Sequence, residues 1–216
     1  MNIYREIGKR ITPFMHENGF VSVGRNYYYL ANNIAFCISF DMPSGQMYAT
    51  AYIMPLYIPC VSRYYTYGNR LNYIHDVRLP LLSKESDKKT IDEWCNLLCH
   101  SIDKKILPLF QSLKSIKELL KLWDGYSYSA TSYFACHEMY IWRLKMFSFL
   151  YIGDFANLED AITHYREVLS SVSFLSAHVI ESYTEEINVV ESLIHSNEQT
   201  TQFFATIESN TRGILC

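Results

Sequence analysis

The chain has 216 residues, 49% of them hydrophobic and 19% charged, and its net charge is −3. This composition excludes a disordered chain and predicts one large domain or two small ones. No segment approaches the roughly 18 uncharged apolar residues of a membrane span. Arg5 and Glu6 also interrupt the region where a signal peptide needs an apolar run. We therefore expect a cytoplasmic protein that does not cross a membrane.

The first predicted element is an amphipathic helix over residues 2–18. Ile3 and Ile7 fall on one stripe at helical spacing, and Asn18-Gly19 supplies the helix stop. Pro13 has two interpretations, since it either kinks this helix or begins a short second one.

Residues 19–59 alternate apolar and polar side chains, which predicts a four-stranded antiparallel meander. One face of the third strand carries four large apolar side chains: Ile34, Phe36, Ile38 and Phe40. We expect this face to form the floor for helices around Ile7 and Trp94. The opposite face is either covered by residues 57–78 or bare, in which case it forms a groove.

Tyrosines and arginines are interleaved in residues 57–78, a pattern that suits stacking on bases or sugars and contact with phosphates. The candidate ligand-binding residues are Arg63, Tyr64, Tyr65, Tyr67, Arg70 and Tyr73. In the alternative interpretation the rings cover the sheet and the arginines are solvated. This alternative is favoured, because a net charge of +4 over residues 1–125 is a weak basic field for nucleic acid. The surrounding segment predicts a long loop, with or without one more edge strand.

Two capping boxes, a Thr or Ser followed three residues later by Glu, predict helix starts at Thr90 and Ser115. No proline follows Pro108, so the rest of the chain predicts helices only. We predict an α+β fold, with a sheet domain at residues 1–124 and a helical unit at residues 125–216.

Four helices are predicted in the helical unit. The first covers about residues 129–152 and is ended by Gly153, and the second begins at Asn157. The third covers about residues 173–196, and a weaker fourth segment surrounds Phe204.

The closest pattern to a metal site is Cys95-x3-Cys99-His100, which Cys136-His137 would complete. Cys95 and Cys99 share a helix face with apolar neighbours, where free cysteine behaves as a small hydrophobe. Structural zinc sites also favour a shorter cysteine spacing. We therefore expect core packing of reduced thiols and no metal.

Catalytic motifs are absent from the sequence. His137-Glu138 begins like a metalloprotease helix, but Ile141 stands where the second histidine is required. No nucleophile elbow, Walker loop or dinucleotide fingerprint occurs. We predict no catalytic residues and no cofactor. A hydrolase, the remaining alternative, would need a pocket that holds a perturbed titratable pair.

The charge is divided unevenly along the chain. Residues 1–125 hold 15 Lys and Arg against 11 Asp and Glu, whereas residues 126–216 hold 4 against 11, a net −7. An acidic surface of this kind steers a basic partner into encounter. The candidate partner-binding residues are Glu181, Glu185, Glu186 and Glu191. A solvated helix face is the alternative interpretation.

Short motifs in the first half of the chain match a known pattern: Asn18-Gly19-Phe20, Asn26-Tyr27-Tyr28-Tyr29, Gly68-Asn69-Arg70-Leu71 and Leu107-Pro108-Leu109-Phe110. With them, residues 3–123 resemble a bacterial domain family of unknown function. The resemblance implies an α+β fold and no activity. Some small families of this kind accompany polymorphic toxins as immunity proteins. We therefore hypothesise a non-catalytic interaction protein of the immunity type, with a ligand- or single-stranded nucleic-acid-binding module as the alternative.

Overall fold

A computed structural model describes residues 2–60, 66–74, 76–77, 79–113, 115–124 and 133–215. It confirms the α+β class, with an antiparallel sheet followed by helices. The strands are β1 (Val21–Val23), β2 (Asn26–Ala31), β3 (Ile34–Asp41), β4 (Tyr48–Pro55) and β5 (Tyr67–Arg70). The helices are α1 (Ile3–Glu17), α2 (Lys88–Ser101), α3 (Leu107–Ser112), α4 (Ile116–Leu122), α5 (Glu138–Ile152), α6 (Phe155–Ser171), α7 (Ala177–Leu193) and α8 (Asn197–Leu215).

The sheet is a meander in which each strand pairs antiparallel with the next in the chain. Short turns permit this order because antiparallel neighbours need only a few connecting residues. Asn32, between β2 and β3, has a φ of 54°, a left-handed conformation that asparagine tolerates in tight connections. The fifth strand, β5, pairs with β4 and forms one edge of the sheet, opposite β1.

The first sheet face is the floor of the main core, as predicted. Phe36 and Phe40 are buried on it, and the ring of Phe40 lies 6.2 Å from that of Trp94 on α2. Ile7 of α1 belongs to the same apolar cluster. The packing follows from the alternation, because every second side chain of β3 and β4 points to this side.

The second sheet face is covered. Its side chains form a separate apolar cluster in which Tyr28 is 3% exposed and Tyr52 is not exposed at all. The cluster includes Leu215, at the C-terminal end of α8, and Ile214 packs against it. The side chains of this face therefore form a second core rather than a groove.

The first helices agree with their predicted positions except at one start. Pro13 lies inside α1 without ending it. Ser115 and Glu118 form the predicted capping box of α4. The predicted start at Thr90 is wrong, because Asp87 caps α2 and its carboxylate accepts the Thr90 backbone N–H. Asp is as good a cap as Thr, so the helix begins one turn earlier.

Three C-terminal helix starts differ from the predictions. α5 begins at Glu138, where the Nδ1 atom of His137 accepts the Met139 N–H. α6 begins at Phe155 with Asp154 as its cap, and α7 begins at Ala177. Gly153 ends α5 with a φ of 72°, as predicted.

One apolar cluster runs from the sheet into the C-terminal helices. The Tyr57 hydroxyl lies 2.8 Å from the Ser148 hydroxyl on α5, and the Tyr57 and Tyr151 rings lie 4.8 Å apart. The predicted domain boundary at residue 124 stays a prediction. Within the described part of the chain, no helix is long and apolar enough to cross a membrane.

Candidate functional site

A cleft of about 450 Å³ lies between α5, α7, α8 and the segment that follows β4. Each helix contributes side chains at helical spacing, so that they reach the cleft from one face. Tyr140 and Arg143 come from α5. His178, Val179, Ser182, Tyr183 and Glu186 come from α7. Ile207, Asn210 and Thr211 come from α8, and Pro59, Cys60 and Thr66 complete the lining.

A buried ion pair holds the cleft together. Arg143 is only 6% exposed, and its Nε and Nη2 atoms donate to the two Glu186 carboxylate oxygens at 2.7 and 2.6 Å. Its Nη2 also donates to the Pro59 carbonyl at 2.8 Å. A bidentate Arg–carboxylate pair is the strongest geometry for such a contact. Arg143 therefore ties α5, α7 and the end of the sheet together.

Two titratable groups in this cleft, Tyr183 and Cys60, favour their uncharged forms. Burial raises the pKa of Tyr183 to about 12, although Arg143 nearby opposes the shift. Burial also raises the pKa of the Cys60 thiol, which lies 3.6 Å from the Thr211 hydroxyl. A protonated thiol is a poor nucleophile. The cleft therefore offers hydroxyl, amide, imidazole and aromatic groups around an arginine that Glu186 neutralises.

The four predicted partner-binding glutamates divide into two pairs. Glu186 is taken up by Arg143, and Glu191 forms a bidentate pair with the exposed Arg166 at 2.8 Å. Glu181 and Glu185 are exposed and form no ion pair with any described residue. Two of the four carboxylates therefore project from the outer side of α7 toward solvent.

The candidate ligand residues of the Tyr/Arg segment are placed differently from one another. Arg63, Tyr64 and Tyr65 lie outside the described residues. Tyr67 is fully buried, and its hydroxyl donates to the Tyr140 carbonyl at 3.0 Å. Its ring lies 5.7 Å from that of Trp123, so Tyr67 is part of the core.

Arg70 and Tyr73 form a surface cluster at the sheet edge with Tyr48 and Asp41. The Arg70 guanidinium lies 4.0 Å from the centre of the Tyr48 ring and donates to Asp41 at 3.0 Å. Tyr73 is 53% exposed, and a hydrogen bond with Tyr48, with a smaller contribution from Arg70, lowers its pKa. The cluster is accessible to solvent at Tyr73, but Arg70 is already paired with the carboxylate of Asp41.

The cysteines of the metal pattern lie in apolar surroundings. Cys95 and Cys136 are buried, and burial raises their thiol pKa values to about 12. The pKa of Cys99 is raised to about 11 for the same reason. A metal ligand must be a thiolate, which these surroundings disfavour. Within the described ranges, no three His, Cys, Asp or Glu side chains are grouped to hold a metal ion.

The sequence reasoning did not identify Arg143 as a site residue. It lies on α5 between the buried residues Ile141 and Leu144, and the helix has apolar side chains on all sides. A single arginine in such a helix needs a buried partner. An arginine in an apolar helix therefore indicates a buried ion pair, but it does not indicate which glutamate is the partner.

Comparison with models of protein families, with curated proteins and with solved structures found no match.

Proposed function

We propose that this chain is a non-catalytic binding protein that docks a basic protein partner through α7. The observation that carries the proposal is the arrangement of this helix. Its outer side carries Glu181 and Glu185, which are exposed and form no ion pair with any described residue. Its inner side lines the cleft. A partner that contacts α7 therefore meets negative charge next to a concave, partly apolar surface.

The pKa values of Tyr183 and Cys60 support a binding role for these two groups rather than acid–base catalysis by them. The pKa of Tyr183 is about 12 and that of Cys60 is raised, so both groups are protonated at neutral pH. Arg143 and Glu186 neutralise each other. Acid–base catalysis needs a group whose pKa lies near the working pH. Hydroxyl and amide groups, in contrast, are suited to hydrogen bonds with a docked side chain or backbone.

The overall charge supports a basic partner. Residues 126–216 carry a net −7, and like-signed charge on one surface raises the association rate with a partner of opposite sign. The proposed partner is a toxin-like protein, because some small families of the same kind as the one that residues 3–123 resemble accompany toxins as immunity proteins. The cytoplasmic location and bacterial origin are part of the same proposal, and the free cysteines at five described positions support a reducing compartment.

Affinity capture with charge-reversed variants tests this proposal. The full chain, immobilised, should retain a basic protein from cells of its source. The double variant Glu181→Lys/Glu185→Lys should lose at least about tenfold of that binding, because like charges then face the partner. The control Glu159→Lys/Glu167→Lys changes the net charge equally on exposed positions of α6 and should retain the partner. Equal binding by all three proteins, or no retained basic protein, would refute the proposal.

Ligand binding at the sheet edge is a second candidate function, favoured by the cluster of half-buried Tyr48 and Arg70 with exposed Tyr73. A guanidinium stacked on a tyrosine is a common contact for bases and phosphates. The expected result is a salt-sensitive gel shift with single-stranded RNA, which Arg70→Gln reduces several-fold. If wild type and Arg70→Gln shift the RNA equally, or neither does, this second function is ruled out.

A further inference from the structure

A second cleft, of about 280 Å³, lies between the start of α1 and the turn that joins β1 to β2. Two arginines line it, Arg5 from the first turn of α1 and Arg25 from the β1–β2 turn. Tyr4, Tyr27 and Phe40 form its aromatic walls. None of the residues that line the α7 cleft takes part.

The Arg25 guanidinium is held in position by its surroundings. It lies 3.6 Å from the centre of the Tyr4 ring, which is cation–π distance. The backbone of the same residue is also fixed, because its carbonyl accepts the Phe40 N–H at 3.2 Å. Gly24, with a φ of 64°, permits the tight two-residue turn that brings Arg25 to the cleft.

The aromatic walls are rigid as well. The Tyr27 hydroxyl is 2.7 Å from the Thr12 hydroxyl, and the Tyr27 and Phe40 rings meet edge to face at 5.9 Å. The hydroxyl of Tyr27 is thus occupied on α1, and its ring provides an apolar surface beside the arginines.

No carboxylate among the described residues lines this cleft. Glu6, the acidic residue that follows Arg5 in the sequence, is paired with other side chains. Its carboxylate accepts hydrogen bonds from Lys9 at 2.8 Å and from Arg10 at 3.0 Å. The side chain of Asn2 accepts the Arg5 backbone N–H and so caps α1. Neither Arg5 nor Arg25 forms an ion pair with a described side chain. Two like charges that share a concave site in this way are stabilised by an anion.

We propose that Arg5 and Arg25 bind the phosphate group of a small ligand in this cleft. Planar guanidinium groups donate in pairs to phosphate oxygens, which makes arginine suited to this group. The volume is slightly below the roughly 300–1,000 Å³ of drug-sized ligand sites. The site therefore accepts inorganic phosphate or a phosphate monoester no larger than a mononucleotide. It is independent of the proposed docking of a protein by α7.

An NMR titration of the full chain at low salt tests the proposal, with inorganic phosphate, AMP and adenosine as probes. Phosphate and AMP should shift the backbone amide signals of Gly24 and Arg25, and adenosine should not. Equal dissociation constants for phosphate and AMP identify free phosphate as sufficient. Tighter binding of AMP shows that the aromatic walls also contact the nucleoside.

Variants that remove single charges complete the test. Arg5→Gln and Arg25→Gln should each raise the dissociation constant by about tenfold, as expected for the loss of a charge-assisted hydrogen bond. Lys88→Gln, which removes an equal charge at an exposed position of α2 outside the cleft, should leave it unchanged. Unfolding curves establish that each variant is folded. Absence of any shift with phosphate and AMP, unaltered affinity in either Arg5→Gln or Arg25→Gln, or equal binding of adenosine and AMP would overturn the proposal.

Discussion

Glu186→Gln should lower the free energy of unfolding by about 3 kcal/mol. The substitution preserves the shape of the side chain but removes its charge, so that the buried Arg143 guanidinium loses the carboxylate that faces it. Arg143 is 6% exposed and joins α5 to Glu186 on α7 and to the Pro59 carbonyl. Loss of one partner of a buried pair costs far more than loss of an exposed one, because the remaining charge has no water to solvate it. Urea unfolding followed by tryptophan fluorescence measures the change.

The matched control for this prediction is Glu191→Gln on the same helix. Glu191 also forms a bidentate pair with an arginine, but the side chains of Arg166 and Glu191 are 47% and 39% exposed. Exposed pairs of this kind contribute about 0.2–1 kcal/mol to stability. The decrease in the free energy of unfolding of Glu191→Gln should therefore be at the lower limit of detection. Similar losses in both variants would show that burial of Arg143 does not determine the stability of this cleft.

Gly68→Ala should destabilise the protein by about 3 kcal/mol. Gly68 of β5 stands opposite Tyr52 of β4, and a Cβ atom added to it would lie 2.3 Å from the Tyr52 Cβ. The same atom would lie 2.6 Å from the Ala51 carbonyl oxygen. The Tyr52 Cβ and the Ala51 carbonyl oxygen are fixed by the backbone of β4, so no side-chain rotation can move them away from the added atom. β5 therefore has to shift. Because Tyr67 is part of the core, that movement also opens the contact between β5 and α5.

Gly213→Ala is the control for steric space. Gly213 lies in α8, has no heavy atom within 4 Å of an added Cβ, and shows no positive φ. Alanine in a helix is favoured over glycine by up to about 1 kcal/mol, so this variant should be slightly stabilised. Urea unfolding of both variants, with hydrogen exchange at the β4–β5 amides, tests the pair. A Gly68→Ala protein as stable as wild type would refute the close approach of the two strands.

The sheet could be predicted because its signal is local. Alternation in β3 assigned Phe36 and Phe40 to one face of the sheet, and this assignment is confirmed. The cover of the second face was not predictable, since it comes from Leu215, more than 160 residues along the chain from Tyr52. Periodicity shows that a face is apolar but not which distant element covers it.

Helix starts were less predictable, for a chemical reason. Thr90 and Glu93 fit a capping box, but Asp87 is an equally good cap and lies one turn earlier. The fourth helix of the helical unit was predicted only as a weaker segment around Phe204, because much of α8 is polar. Its buried residues, Phe204, Ile207, Thr211 and Leu215, recur every three or four positions and mark one narrow stripe.

The candidate site was predicted only in part. Sequence identified the acidic residues of α7, but composition does not distinguish Glu186, which is bound to Arg143, from Glu181, which faces solvent. Arg143 and Glu186 are 43 positions apart, and Arg143 and Pro59 are 84 apart. Such contacts are set by helix packing and become visible only in three dimensions.

Photo-crosslinking from Ser182 tests the central claim most directly. Ser182 is exposed on α7 and lines the cleft, so a benzoylphenylalanine placed there faces the proposed docking surface. Irradiation in cells should yield one covalent adduct with a basic protein, identified by mass spectrometry. The same probe at Thr163, an exposed position of α6 outside the cleft, should yield none. Equal adducts from both positions, or none from Ser182, would contradict the docking of a partner by α7.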